Sequence, residues 1–170
     1  MSEKLIVLFL VCLLLLTSGC VFSNYRQVND FDLDPEAVNG NGSVHVASVR
    51  NVSSSGLRIQ SRSYFGLSRD PYNLWATEPG ALVCNALNKA LGKDGCISPI
   101  VLTCELEYFE ADLPQRIFRL SGTYSSRTSP QKIRFDIKTP LRGPAVANIV
   151  LAASEAVRQL AVRMSFFGKN

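Results

Sequence analysis

The thiol at position 20 carries the most specific chemistry in the chain. Leu16-Thr17-Ser18-Gly19-Cys20 closes an apolar run that begins at Leu5, with Lys4 just before it. A charged start, an apolar stretch and small residues at a cut site are the order of a secretory leader. Small residues running directly into a cysteine make that site a bacterial lipobox. The sulfur takes diacylglycerol as a thioether, and signal peptidase II then cuts before it. Thr17 stands three residues ahead of the cysteine, where leucine is usual, and Leu16 stands one further back. As a helix the apolar run rises roughly 18 Å, short of a hydrocarbon core about 30 Å thick. The segment predicts a leader over 1–19, a lipid on Cys20, and a folded remainder outside the cytoplasm.

Other reactive side chains do not assemble into a catalytic set. His45 is the single histidine and falls in a strand pattern, with no nucleophile and orienting group beside it in the sequence. The chain contains no GxSxG, HExxH, Walker or dinucleotide-binding glycine pattern. Glu105 and Glu107 sit two apart on a strand, where a solvated face is the simpler reading than an acid–base pair. The expectation is a protein that is not an enzyme and holds no metal or cofactor beyond the lipid on Cys20. Cys84, Cys96 and Cys104 remain after the leader and the lipid, an odd number for an oxidising compartment. Cys96 and Cys104 lie about 26 Å apart at strand rise and should not pair with each other. Cys84–Cys96, Cys84–Cys104 and buried free thiols all stay open. Net charge is +4 for the full chain. That excess is too small and scattered to indicate nucleic acid, though it suits an anionic membrane surface.

The elements that must carry these residues follow from periodicity. Residues 20–42 combine Cys20 with a tether rich in Asp30, Asp32, Asp34, Glu36 and the run Asn39-Gly40-Asn41-Gly42, a composition that predicts flexibility. Residues 43–170 form one domain. Val44 to Val49 and Leu57 to Tyr64 read as strands, and Phe65 to Asn73 as a loop. Glu78 to Leu91 is a helix with its apolar stripe at Leu82, Val83, Ala86, Leu87, Ala90 and Leu91. Thr77 or Glu78 is its cap, Pro79 lies in its first turn and Gly92 ends it. Three alternating strands follow, from Ile100, from Ile117 to Tyr124 and from Ile133 to Lys138. A long amphipathic helix closes the chain, about Pro144 to Met164. The order β-β-α-β-β-β-α predicts an α+β two-layer sandwich, a mainly antiparallel sheet with two helices on one face.

Asn73-Leu74-Trp75-Ala76 just before the first helix contains the only tryptophan. Trp75 suits a core anchor at the end of the layer or a contact residue. The stretch before it adds Tyr64, Phe65 and Tyr72, more aromatic surface than a loop needs. Exposed aromatics on loops commonly serve contact with a partner or lipid. Tyr64, Phe65, Tyr72 and Trp75 are therefore the candidate partner-binding residues.

With its lipobox, Asn73-Leu74-Trp75-Ala76, the helix from Pro79 ending in Leu87-Asn88-Lys89-Ala90-Leu91, Leu106-Glu107-Tyr108-Phe109, Leu120-Ser121-Gly122-Thr123-Tyr124 and the closing alanine-rich helix, the chain resembles the ABC-type transport auxiliary lipoprotein component family, the paraquat-inducible protein C-like group. The likeness spans about residues 43–165. It implies a non-catalytic, lipid-anchored accessory that faces the periplasm and works with a permease, an ATPase and an MCE-domain protein in moving lipids or other hydrophobic molecules between membranes. Val21 after the cysteine, where inner-membrane lipoproteins carry aspartate, implies the outer membrane by analogy with enterobacterial sorting. The partners expected are the membrane and an MCE-domain protein, with a second copy of the chain as a further candidate. The other function class that fits the same features is a structural or assembly lipoprotein of the envelope unrelated to transport.

Overall fold

The computed structural model describes residues 27–38, 44–53, 56–92 and 100–167. The leader, Cys20 and Cys96 lie outside them. The elements run β1 (Asn29–Phe31), β2 (Val44–Asn51), β3 (Arg58–Ser63), β4 (Gly66–Trp75), α1 (Pro79–Leu91), β5 (Ile100–Asp112), β6 (Ile117–Ser126), β7 (Ile133–Pro140) and α2 (Val146–Ser165). The strands form one sheet in the order β1-β4-β3-β5-β6-β7, with β2 also paired to β5. The β3–β4, β5–β6 and β6–β7 pairs are antiparallel; β1 with β4, β2 with β5 and β3 with β5 are parallel. Both helices cover one face, the α+β two-layer arrangement that the periodicity predicts.

Strand β5 is the spine because it is long enough to serve two neighbours on one edge. Its first half, Ile100 to Leu106, pairs with β2, and its last residues, Ala111 and Asp112, pair with Ser61 and Arg62 of β3. The strict alternation expected along β5 breaks at Glu107, where the register against β6 shifts between Leu106 and Tyr108. The bulge exchanges faces, so that Phe109 is buried while Tyr108 turns outward beneath the Arg119 guanidinium, 4.2 Å from its ring centroid. Gly122 sits across from the bulge, and a Cβ there would come within 1.9 Å of the Glu105 carbonyl oxygen. Only glycine permits that approach.

The core forms where the inner faces of β5, β6 and β7 meet the helices. Leu102, Leu106, Phe118, Leu120, Phe135 and Ile137 pack beneath Leu82, Val83 and Leu87 of α1 and Ala153, Ala156, Val157 and Leu160 of α2. Alanines at 152, 153, 156 and 161 bring α2 close to the sheet. Thr139 Oγ1 donates to the Ala152 carbonyl at 2.7 Å, which fixes the helix over β7. Glu78 caps α1, accepting from Gly80 N at 2.9 Å and Ala81 N at 3.3 Å, so its charge also meets the positive end of the helix. Asn88 on α1 reaches the backbone of β2. Its Nδ2 donates to the Val46 carbonyl at 2.9 Å and its Oδ1 accepts from Val46 N at 3.0 Å.

Two expectations need correction. Phe65 to Asn73, read as a loop, falls almost wholly in strand β4 (Gly66–Trp75). Asp70-Pro71 suggested a turn, and the strand does bulge there: Arg69 to Leu74 advances five residues while β3 advances two, from Gln60 to Arg58. Asp70 Oδ1 accepts from Tyr72 N and Asn73 N at 2.9 and 3.0 Å, so the backbone beside Pro71 is satisfied by a side chain. Residues 29–38, assigned to a flexible tether, are packed on the domain. β1 pairs with β4, Leu33 is in the core, Lys89 Nζ bonds Asp34 at 2.6 Å, and Val38 N donates to the Ala90 carbonyl. Composition alone misleads there because one buried leucine and a three-residue strand hold an otherwise acidic segment.

Candidate functional site

The structure divides the four aromatic candidates. Trp75 lies inside, 2% exposed, with its ring centroid 5.1 Å from that of Phe109, which meets Phe118 edge-on at the same separation. Its indole N–H has no acceptor among the described residues. The residue closes the end of the core where β4 leads into α1, so a partner cannot touch it. Tyr72 is partly exposed on β4. Tyr64 and Phe65 form the two-residue tip of the β3–β4 hairpin, 87% and fully exposed respectively. Gly66 follows with φ +115°, a value glycine supplies freely. Phe65 N donates to Ser63 Oγ at 3.1 Å, which closes the turn without burying either ring. Leu67 extends the apolar surface. The tip stands beside the β5–β6 turn, since Leu113 N donates to the Arg62 carbonyl at 3.0 Å. Just behind the tip Arg62, opposite Leu67, grips the buried Glu110 through two bonds of 2.9 and 3.3 Å.

The opposite edge of the sheet offers a different surface. β7 pairs with β6 on one edge, and no strand among the described residues pairs with the other. Thr139, Pro140, Arg142, Asn148, Leu151 and Ala152 line a shallow cleft of about 260 Å³ between its end and α2. Leu151 is an exposed leucine on that helix. Sequence reasoning missed this residue, because one leucine outside the buried stripe carries no signal until the sheet beside it is known.

The sheet's outer face is a lattice of ion pairs. Glu105 is held between Arg50 and Lys132, Glu107 pairs with Arg134 at 3.0 Å, and Asp136 lies between Arg119 at 3.0 Å and Lys138 at 3.6 Å. Hydrogen bonds from Arg50 and Lys132 hold the Glu105 carboxyl below its ordinary range. The two glutamates thus face cations on a wet surface. His45 is exposed on β2. Among the described residues no group of three or more His, Cys, Asp or Glu is placed to hold a metal, and no helix is long and apolar enough to cross a membrane. Cys84 and Cys104 are free thiols. Burial pushes the Cys104 thiol up to about 12, with smaller contributions from Cys84 and Glu105. Burial also raises Cys84, whose Sγ lies 3.5 Å from the Val46 carbonyl oxygen.

No family model matches the chain. No curated protein matches it either. Among solved structures, an uncharacterized protein superposes with a TM-score of 0.65 at 14% identity, over 82% of this chain and 97% of that one. Protein XCC0632 from Xanthomonas campestris, of family DUF330, superposes with a TM-score of 0.60 at 15% identity, over 81% and 91%. The chain therefore shares its fold with these small domains along nearly their whole length.

Proposed function

We propose that this protein is a periplasm-facing lipoprotein of the outer membrane, a non-catalytic docking subunit for an ABC-linked, MCE-type system that moves lipids or other hydrophobic molecules between membranes. The lipobox at Cys20 supports the anchor, and the fold shared with a DUF330 protein agrees with a small accessory domain. The observation that carries the docking role is the open edge of β7 beside the Leu151 cleft. An extended terminal segment of the MCE-domain partner adds to that edge as a further strand, with backbone hydrogen bonds supplying affinity and the cleft accepting one apolar side chain. Arg134 and Lys138 on β7, with Lys132 just before it, keep the edge soluble until the partner arrives.

Co-purification from membranes in mild detergent tests this reading. The wild-type protein should bring an MCE-domain protein, and Leu151→Asp should lose it while melting at the same temperature. Recovery of envelope assembly proteins with no transport component would favour the structural class instead.

A further inference from the structure

We propose that the Tyr64–Phe65 tip, together with Arg116 and Arg142, is a second membrane contact that seats the domain tip-down on the anionic bilayer holding Cys20. The inference rests on the lipid-anchor reading and gives that anchor a direction.

Three observations point the same way. The first is the path of the chain. β1 is parallel to β4, with Asn29 opposite Asn73, so the polypeptide enters the sheet from the side where β4 begins, which is the hairpin tip. Gln27 and Asn29 border one depression with Asp70, Pro71 and Tyr72. Val28 borders another with Arg69 and Pro71. The approach to β1 therefore lies along β4 on the tip side. From Gln27 back to Cys20 the chain can span at most about 25 Å. The tip lies further along the same direction, about 10 Å beyond Arg69 at strand rise. That reach is long enough for Cys20 to lie level with Phe65 on the same side of the domain.

The second observation is the surface presented there. Tyr64 and Phe65 expose whole rings, and Leu67 stands next to them. Such side chains settle at the boundary between headgroups and acyl chains. The third is charge. The turn after β5 and the loop after β7 lie at the same end, joined by Leu141 N donating to the Arg116 carbonyl at 2.8 Å. Arg116 and Arg142 are both exposed there, and the ion pairs among the described residues engage neither. Aromatic rings flanked by free guanidinium groups complement anionic headgroups above an apolar interior. In this pose the Ile133 end of β7 points away from the membrane.

The test uses the full-length lipoprotein, purified from membranes and reconstituted in phosphatidylethanolamine–phosphatidylglycerol vesicles with brominated acyl chains. Phe65→Trp reports the tip and Ile133→Trp reports the far end of β7, with buried Trp75 a constant background. The expected result is a blue-shifted, quenched emission at position 65 and none at 133. Adding Arg116→Glu and Arg142→Glu should weaken the quenching at 65. A tip as unquenched as position 133, in protein whose intact mass shows lipid on Cys20, overturns the inference, leaves the anchor standing and assigns the hairpin to a protein partner. An unmodified Cys20 in that mass measurement removes both.

Discussion

Two hairpins in one sheet are built to different ends. The β6–β7 hairpin buries Phe118, Leu120, Phe135 and Ile137 under α2, and reverses through polar residues in which Ser126 Oγ accepts from Ser129 N at 2.9 Å. Its turn does only what chain reversal requires. The β3–β4 hairpin buries Ile59 and Gln60 near its root and Trp75 at its end, yet holds two aromatic rings out in water at its tip. Turns are normally polar because their backbone must be satisfied there. Folding gains nothing from Tyr64 and Phe65 in that position, so the surplus apolar surface points to a contact outside the domain.

The contrast gives an ordered set of tests. Trp75→Ala should have the largest effect, a loss of roughly 3–5 kcal/mol in a thermal or denaturant melt. Trp75→Phe should lose much less, because the indole N–H has no acceptor among the described residues to forfeit. An unchanged melt for the alanine variant would place the tryptophan outside the core. Gly122→Ala should follow at about 1–3 kcal/mol, since its methyl meets backbone at the bulge and not a side chain that can swing aside. Arg62→Ala should cost about 1–3 kcal/mol by leaving the Glu110 carboxylate buried without its partner. Phe65→Ser should shift the melt by no more than about 0.5 kcal/mol while abolishing contact of the tip with vesicles. If that variant instead melts early, the hairpin tip supports the fold and the contrast fails.

Acid should reach the outer face with the smallest effect. The folded-state value of Glu105 is depressed, so its contribution is fully present above the ordinary 4.5 and is lost as the pH falls through the lower folded value. Exposed pairs contribute little individually. Glu105→Gln should therefore reduce only slightly the slope of stability against pH below 4.5.

Much of this architecture was legible because apolar periodicity reports a buried face directly. Both helices, β2, β3 and the β5–β6–β7 meander could be placed that way, and the stripe from Leu82 to Leu91 matches the buried side of α1. What escaped was structure without a buried face. Strand β4 exposes most of its residues and contains Pro71, so it has neither alternation nor the composition of a strand. β1 is three residues long and depends on its pairing with β4. The bulge at Glu107 was invisible because one extra residue exchanges the faces without altering composition. The four aromatics near the first helix stand together in sequence, and only the fold separates buried Trp75 from the rings at the tip. Arg116, Arg142 and Leu151 carried no signal in sequence, since their meaning comes from neighbours on distant strands.

The proposed lipid anchor at Cys20 would set the orientation of the domain, and one measurement addresses it directly: the intact mass and amino-terminal peptide of the protein extracted from cell membranes. The account predicts a chain that begins at Cys20 with diacylglycerol on its sulfur. A free thiol at that residue, or a leader still joined to it, would contradict the account.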